Sequence, residues 1–179
     1  PSVEGVLADG EAAYDYLVGE LGVDPQALAI QGHSLGSMLA AALVNRKGGK
    51  VAGDSGDEAK LNRQTAPAAG LVLESPLTDA EDLTARLLPW FVKPFVEFEI
   101  DPSLLEYSNL SEVAQIELPL LIITGGDDNV TPKGMAEKLF EIAPSSRKQL
   151  EIVPGGGHND LPQRREYRSR LSEFYRSVF

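Results

Sequence analysis

At 179 residues and 42% hydrophobic content, the chain is long enough to form one globular domain with a sizeable core. Its net charge of −11 disfavours nucleic acid as a partner, because binding to phosphates requires basic patches. The absence of cysteine excludes disulfides and a cysteine nucleophile, and the presence of only two histidines disfavours a multi-histidine metal site.

The N-terminal part of the chain predicts a helix, a short strand and a second helix. Apolar residues recur at helical spacing over residues 4–21, and Gly22 is a typical stop signal. Residues 27–31 form a short apolar run that is typical of a buried strand, and residues 35–45 are rich in alanine and predict a helix. Between this strand and this helix lies Gly32-His33-Ser34-Leu35-Gly36.

Ser34 is the candidate nucleophile. Small residues on both sides of a serine tolerate the strained backbone that lifts its hydroxyl out of a sheet, an arrangement called a nucleophile elbow. A serine hydroxyl is a weak nucleophile at neutral pH, so it needs a base within hydrogen-bond reach and a carboxylate that orients the base. The sequence must therefore supply a histidine and an acid elsewhere.

The middle of the chain predicts one strand between two irregular segments. Residues 46–67 contain almost nothing apolar and predict a flexible surface loop, whereas residues 70–74 form an apolar strand typical of a parallel sheet. Residues 77–118 are interrupted by prolines and predict short helices, which form either an ordinary packed segment or a lid over a substrate pocket. In the lid interpretation, the candidate substrate contacts are Leu87, Trp90, Phe91 and Phe95.

The C-terminal part of the chain completes an α/β pattern. Residues 118–124 and 150–153 predict two more buried strands, and residues 132–142 and 163–179 predict helices with one apolar stripe. Four strands that alternate with helices predict a parallel α/β sheet in a single domain over residues 1–179.

An acid and a base follow the last two predicted strands. Asp128 and His158 lie just past the carboxyl ends of these strands, where catalytic side chains converge in open parallel sheets. Asp127 and Glu74 are alternative acids, and Asp128 is favoured by its spacing to the following turn and helix. A loop histidine without a function is the alternative interpretation of His158. His33 cannot easily reach the serine hydroxyl in line, so we expect it to serve packing or a supporting hydrogen bond.

These motifs in this order resemble the α/β-hydrolases, and within them the Bem46-like and serine-aminopeptidase-like serine hydrolases. The matching motifs are Gly32-His33-Ser34-Leu35-Gly36 and residues 71–76, 125–132 and 156–160. The resemblance implies an α/β-hydrolase fold with a helical lid insertion, and it implies no cofactor. It also implies a role for four residues: Ser34 as nucleophile, Asp128 as acid, His158 as base and the Leu35 backbone N–H as one oxyanion donor.

The chain departs from the family pattern at its beginning. The second oxyanion donor of the family comes from a loop before the nucleophile strand, and no residue before Ser34 carries the motif of that loop. The family sheet also has more strands than the four predicted here. We therefore expect the C-terminal part of a longer enzyme, poorly active alone and able to self-associate through an exposed strand edge. Because the chain begins at Pro1 without a methionine, its localisation and any membrane association stay open.

Hydrolysis of a small-molecule carboxylic ester or thioester through an acyl-enzyme is the function that these residues favour. The sequence does not separate this reaction from hydrolysis of an amide or peptide bond. The alternative from a different functional class is a non-catalytic interaction domain. Such a domain keeps the three residues but has no working catalytic site.

Overall fold

A parallel sheet forms the centre of the computed structural model, which describes residues 2–48, 66–80, 82 and 107–179. The sheet contains β1 (Ala29–His33), β2 (Gly70–Glu74), β3 (Leu120–Gly125) and β4 (Lys148–Val153), in the spatial order β1-β2-β3-β4. Neighbouring strands pair in parallel, from Ala29 opposite Gly70 to Gly125 opposite Val153. The α/β class predicted from the sequence is confirmed.

Helices precede, connect and follow these strands. They are α1 (Val3–Asp15), α2 (Leu35–Lys47), α3 (Asn109–Val113), α4 (Lys133–Ile142) and α5 (Arg165–Val178). The turn Tyr16–Glu20 is π-helical and continues α1, and 3-10 turns at Pro25–Ala27 and Leu161–Gln163 precede β1 and α5. In the part of the chain that the structure describes, no helix is long and apolar enough to cross a membrane.

Some predicted boundaries shift by a few residues. β1 begins at Ala29 instead of residue 27, because Asp24 caps a 3-10 turn by accepting the N–H of Gln26 at 2.9 Å. β4 begins at Lys148, two residues before the apolar run that predicted it. Most of the predicted loop over residues 46–67 and of the predicted lid over residues 77–118 lies outside the described residues. Leu87, Trp90, Phe91 and Phe95 also lie outside them.

Helices cover the sheet on both faces, because the side chains of its central strands alternate between two apolar clusters. One cluster joins alternate residues of β2 and β3 to α2, α3 and α4, and contains Ala41, Val44, Leu71, Leu73, Val113, Leu120, Ile122, Ala136 and Leu139. The other joins the remaining residues to α5, and contains Val72, Leu121, Ile123, Val153, Leu161, Tyr167 and Phe174. This burial on both faces explains why β2 and β3 are apolar at nearly every position.

The end strand β1 is held by polar groups as well as by the ladder to β2. The Gln31 amide donates to the buried carboxylate of Glu74 at 3.0 Å, and the Tyr175 hydroxyl donates to the Gln31 carbonyl at 2.8 Å. The Tyr167 hydroxyl also donates to Glu74, at 2.9 Å. Burial, reinforced by this carboxylate, raises the pKa of Tyr167. Among the described strands only β2 pairs with β1, and self-association through its other edge stays a prediction.

Lys148 caps the C-terminus of α4 and provides a test of this packing. Its ammonium donates to the carbonyls of Phe140 at 2.8 Å and Ala143 at 2.7 Å, which lie at the end of the helix. We expect Lys148→Met to lower the free energy of unfolding by about 1 kcal/mol, measured by urea denaturation. The matched control is Lys138→Met on the exposed face of the same helix, and an equal loss in both variants would contradict this role of Lys148.

Candidate active site

Ser34 lies on a strained turn between β1 and α2. Its φ of 54° is in a region that residues other than glycine rarely adopt. The turn is tight enough that a Cβ on Gly32 would lie 2.2 Å from the Gly36 carbonyl oxygen. A hydrogen bond of 2.9 Å from the Ser34 N–H to the Glu74 carbonyl ties the turn to the end of β2. The strand, turn and helix around Ser34 therefore match the nucleophile elbow expected from the sequence.

The structure brings together the side chains of Ser34, His158 and Asp128. His158 Nε2 lies 3.0 Å from Ser34 Oγ, and His158 Nδ1 lies 2.8 Å from Asp128 Oδ2. A proton on Nδ1 is donated to the carboxylate, which leaves Nε2 free to accept the hydroxyl proton of Ser34. The three side chains thus form one continuous chain of hydrogen bonds.

Asp128 lies in a pocket of hydrogen-bond donors. Its Oδ1 accepts the backbone N–H groups of Val130 and Thr131, both at 2.9 Å. Burial by itself would raise the pKa of Asp128, but the Thr131 N–H, the His158 ring, the Thr131 hydroxyl and the Val130 N–H outweigh it. Together they hold this pKa below its usual range. Asp128 is therefore a buried carboxylate that stays ionised.

The two alternative acids occupy other environments. Asp127 is exposed, as expected for a solvated neighbour of Asp128. Glu74 accepts hydrogen bonds from Gln31 and Tyr167, beside the cluster that α5 covers. The side chain bonded to His158 is that of Asp128, so the geometry agrees with the preference expressed in the sequence analysis.

Close contact between two backbone turns brings Asp128 and His158 within reach of each other. A Cβ on Gly125 would lie 2.2 Å from the Gly156 carbonyl oxygen, so only glycine fits at this position. The Asp127 N–H donates to the same oxygen at 2.9 Å. The turn that follows β3 and the turn that follows β4 therefore pack directly against each other.

Asp160 and Arg164 brace the loop that carries His158. The Gly157 N–H donates to Asp160 Oδ1 at 2.7 Å, and Arg164 forms an ion pair with Asp160. Arg164 also donates to the Gly155 carbonyl at 2.6 Å. The hydrogen bond from Arg164, followed by that from Gly157, lowers the pKa of Asp160.

His33 supports the same loop from the other side. Its Nε2 lies 3.0 Å from the backbone carbonyl oxygen of His158, and the two ring centroids are 5.0 Å apart. A carbonyl only accepts, so Nε2 of His33 carries a proton in this contact. Of the two uses expected for His33, packing or a supporting hydrogen bond, the structure shows the hydrogen bond.

Two further residues belong to the description of this site. Leu35 is the first residue of α2, and its backbone N–H is one of the amides that no carbonyl within a helix can accept. Its role as an oxyanion donor stays a prediction. Thr131, which the sequence analysis missed, touches both Asp128 and His158. An Asp followed three residues later by a Thr is a local pattern typical of such side-chain contacts.

Known proteins are similar to this chain in sequence and in fold. The family described as serine aminopeptidase S33 matches residues 107–162. Lysophosphatidylserine lipase ABHD12 of Gallus gallus is 33% identical, over 98% of this chain and 44% of the relative. Acetyl xylan esterase 1 of Thermoanaerobacterium has the same fold, with a TM-score of 0.67 at 16% identity over 97% of this chain and 52% of that one. The chain belongs to the α/β-hydrolase superfamily.

This α/β-hydrolase chain is similar to part of its curated relatives. An uncharacterized protein of Mycobacterium tuberculosis is 32% identical, over 89% of this chain and 48% of that protein. The chain thus spans about half the length of the curated relatives it matches.

The contact between Gly125 and Gly156 predicts that one methyl group added at residue 125 destabilises the fold. In this α/β-hydrolase, we expect Gly125→Ala to lower the free energy of unfolding by about 1–3 kcal/mol, because the new Cβ must push the two turns apart. A crystal structure of the variant should show a longer distance between Asp128 and His158. Gly126→Ala is the matched control, because the nearest atom to its Cβ would lie at 3.3 Å. Equal stability of both variants would rule out this steric constraint.

The lowered pKa of Asp128 predicts a pH-dependent contribution to stability. An acid whose pKa is depressed by folding stabilises the fold above its unfolded pKa of about 3.9, and this stabilisation is lost as the pH falls through the folded value. The difference in unfolding free energy between wild type and Asp128→Asn should therefore be largest near neutral pH and shrink in acid. Asp127→Asn, at the exposed neighbour, should show little difference at any pH. If the difference in unfolding free energy between wild type and Asp128→Asn stayed constant at acidic pH, the lowered pKa of Asp128 would be contradicted.

Proposed function

We propose that this chain carries the catalytic residues of a serine hydrolase that cleaves a carboxylic ester or thioester of a small molecule. The observation that supports this proposal best is the hydrogen-bond chain from Ser34 through His158 to the buried carboxylate of Asp128. In this proposal Ser34 is the nucleophile, His158 the general base and Asp128 the acid that orients the base.

In the acylation step, Ser34 Oγ bonds to the carbonyl carbon of the substrate while its proton moves to His158 Nε2. The Nδ1 proton stays between His158 and Asp128, so the carboxylate stabilises the imidazolium. The carbonyl electron pair moves to oxygen, and the Leu35 N–H is the proposed donor to this oxyanion. As the carbonyl re-forms, the bond to the leaving group breaks. His158 then gives its proton to the departing alcohol or thiol.

In the deacylation step, water takes the place of the leaving group. His158 Nε2 accepts a proton from water as the water oxygen bonds to the acyl carbon. The bond from this carbon to Ser34 Oγ then breaks, and Ser34 recovers its proton from His158. The products are a carboxylic acid and the original enzyme, so the cycle consumes only substrate and water.

The names of similar proteins support an ester as the substrate class. A lysophosphatidylserine lipase and an acetyl xylan esterase are both named for ester bonds. The family description, serine aminopeptidase, favours an amide bond as the alternative. Comparing kcat/KM for p-nitrophenyl acyl esters and for aminoacyl p-nitroanilides separates the two. Faster turnover of the anilides would overturn the ester assignment while leaving the roles of the three residues unchanged.

Turnover by this chain alone is expected to be slow. Leu35 is the one oxyanion donor that we assign, and loss of a donor typically lowers kcat by about 100- to 1000-fold. A measurement of covalent labelling is therefore a more sensitive first test than a measurement of turnover.

A fluorophosphonate probe tests the proposed nucleophile directly. We expect the probe to form a covalent adduct on Ser34, identified by mass spectrometry, and we expect Ser34→Ala to abolish both labelling and ester hydrolysis. The matched control is Ser169→Ala, an exposed serine on α5, which should label like wild type. Folded protein that resists the probe would instead favour a non-catalytic interaction domain.

A further inference from the structure

The hydroxyl of Thr131 lies at a junction between three parts of the site. Thr131 is fully buried, and its Oγ1 lies 3.0 Å from Asp128 Oδ2 and 3.1 Å from His158 Nδ1. The same oxygen lies 3.0 Å from the backbone carbonyl oxygen of Ser75, just after β2. The hydroxyl therefore contacts both partners of the acid–base pair, a position for which the catalytic steps above have no use.

We propose that Thr131 is a positioning residue that fixes the acid and the base relative to the nucleophile. This inference rests on the proposed function, in which His158 must be neutral to accept the proton of Ser34. Thr131 itself touches neither the nucleophile nor the substrate in this scheme, and it acts through Asp128 and His158.

The number of protons at this junction limits what the hydroxyl does. The Nδ1 proton of His158 is donated to Asp128 Oδ2, so Thr131 can only accept from Nδ1. Its own single proton has two acceptors at equal distance, Asp128 Oδ2 and the Ser75 carbonyl oxygen. The hydroxyl thus has two orientations, one towards the carboxylate and one towards the backbone of β2.

In either orientation the hydroxyl restrains the acid–base pair. Donation to Asp128 adds a charge-assisted hydrogen bond to Oδ2, the oxygen that lies against His158 Nδ1. Donation to the Ser75 carbonyl ties the acid turn to the end of β2. Removing the hydroxyl removes both restraints.

The contact with Ser75 links the acid turn to the backbone that holds the nucleophile. The Glu74 carbonyl accepts the N–H of Ser34, and the carbonyl of the next residue, Ser75, accepts the hydroxyl of Thr131. Two consecutive peptide groups thus hold the nucleophile on one side and the acid turn on the other. The N–H of Ser75 donates to the Ile123 carbonyl at 2.8 Å, which fixes the peptide group whose carbonyl accepts from Ser34.

NMR of the His158 ring tests this position without any need for labelling. The Nδ1 proton that is hydrogen-bonded to Asp128 should give a downfield resonance, and we expect Thr131→Val, which keeps the shape but loses the hydroxyl, to shift this resonance. Thr131→Ser, which keeps the hydroxyl, should stay close to wild type. Thr124→Val is the matched control, because Thr124 is also fully buried and its hydroxyl has no hydrogen-bond partner among the described residues. If Thr131→Val does not fold, Thr131→Ala serves as the variant without a hydroxyl.

The rate of fluorophosphonate labelling gives a second readout. In Thr131→Val the labelling rate of Ser34 should fall about tenfold as the acid turn loosens, and Thr131→Ser should keep a rate close to wild type. A wild-type labelling rate with an unchanged Nδ1 proton resonance in Thr131→Val, or equal changes in Thr131→Ser, would overturn the proposal. If wild-type Ser34 does not label, the proposed function fails, whereas the NMR measurement still decides the role of Thr131.

Discussion

The hydrogen bond between His158 Nδ1 and Asp128 Oδ2 is the interaction on which the chemistry of this site depends. It fixes the tautomer in which Nε2 faces Ser34 without a proton of its own. Burying an ionised carboxylate is energetically unfavourable. Here the backbone N–H groups of Val130 and Thr131 donate to Asp128 and keep it ionised. In the proposed reaction, this ionised carboxylate is in place before the substrate binds, so it can stabilise the imidazolium that forms.

Close backbone contacts make this geometry possible. Gly32 allows the elbow to close against Gly36, and Gly125 allows the two acid and base turns to touch at Gly156. In both places a side chain would fill the space that a carbonyl oxygen occupies. Gly32 and Gly125 therefore influence the positions of the site side chains indirectly, because they allow two backbone segments to approach closely.

Two sets of polar contacts hold different parts of the sheet. The residues that follow β1, β3 and β4 carry the hydrogen-bond chain of the site, whereas Glu74 at the end of β2 joins a polar network with Gln31 and Tyr167. That network secures β1, the strand that leads directly into Ser34, at the end of the described sheet. Stability of the elbow therefore depends on contacts with α5 as well as on the ladder between β1 and β2.

The sequence by itself determined the fold class, and it nominated Ser34, His158 and, among three carboxylates, Asp128 as the central residues of the site. Apolar runs alternating with helical periodicity specify a parallel sheet, and the carboxyl ends of its strands bring distant residues to one edge. Ser34, Asp128 and His158 were predictable because each follows such a strand. His33 was correctly expected to support the site, although the carbonyl that it contacts was not predictable.

The tertiary structure shows that Asp128 contacts the imidazole, whereas Asp127 is exposed and Glu74 bonds to Gln31 and Tyr167, because burial and local partners decide which carboxylate meets His158. It also decided the position of Thr131, since a single hydroxyl leaves no periodic pattern in the sequence and its three partners come from separate parts of the chain. Side-chain hydrogen bonds of this kind depend on distances of a few tenths of an ångström, which are set by packing between elements. Hydrophobic patterning determines the elements and their order, and packing between them determines which polar atoms meet.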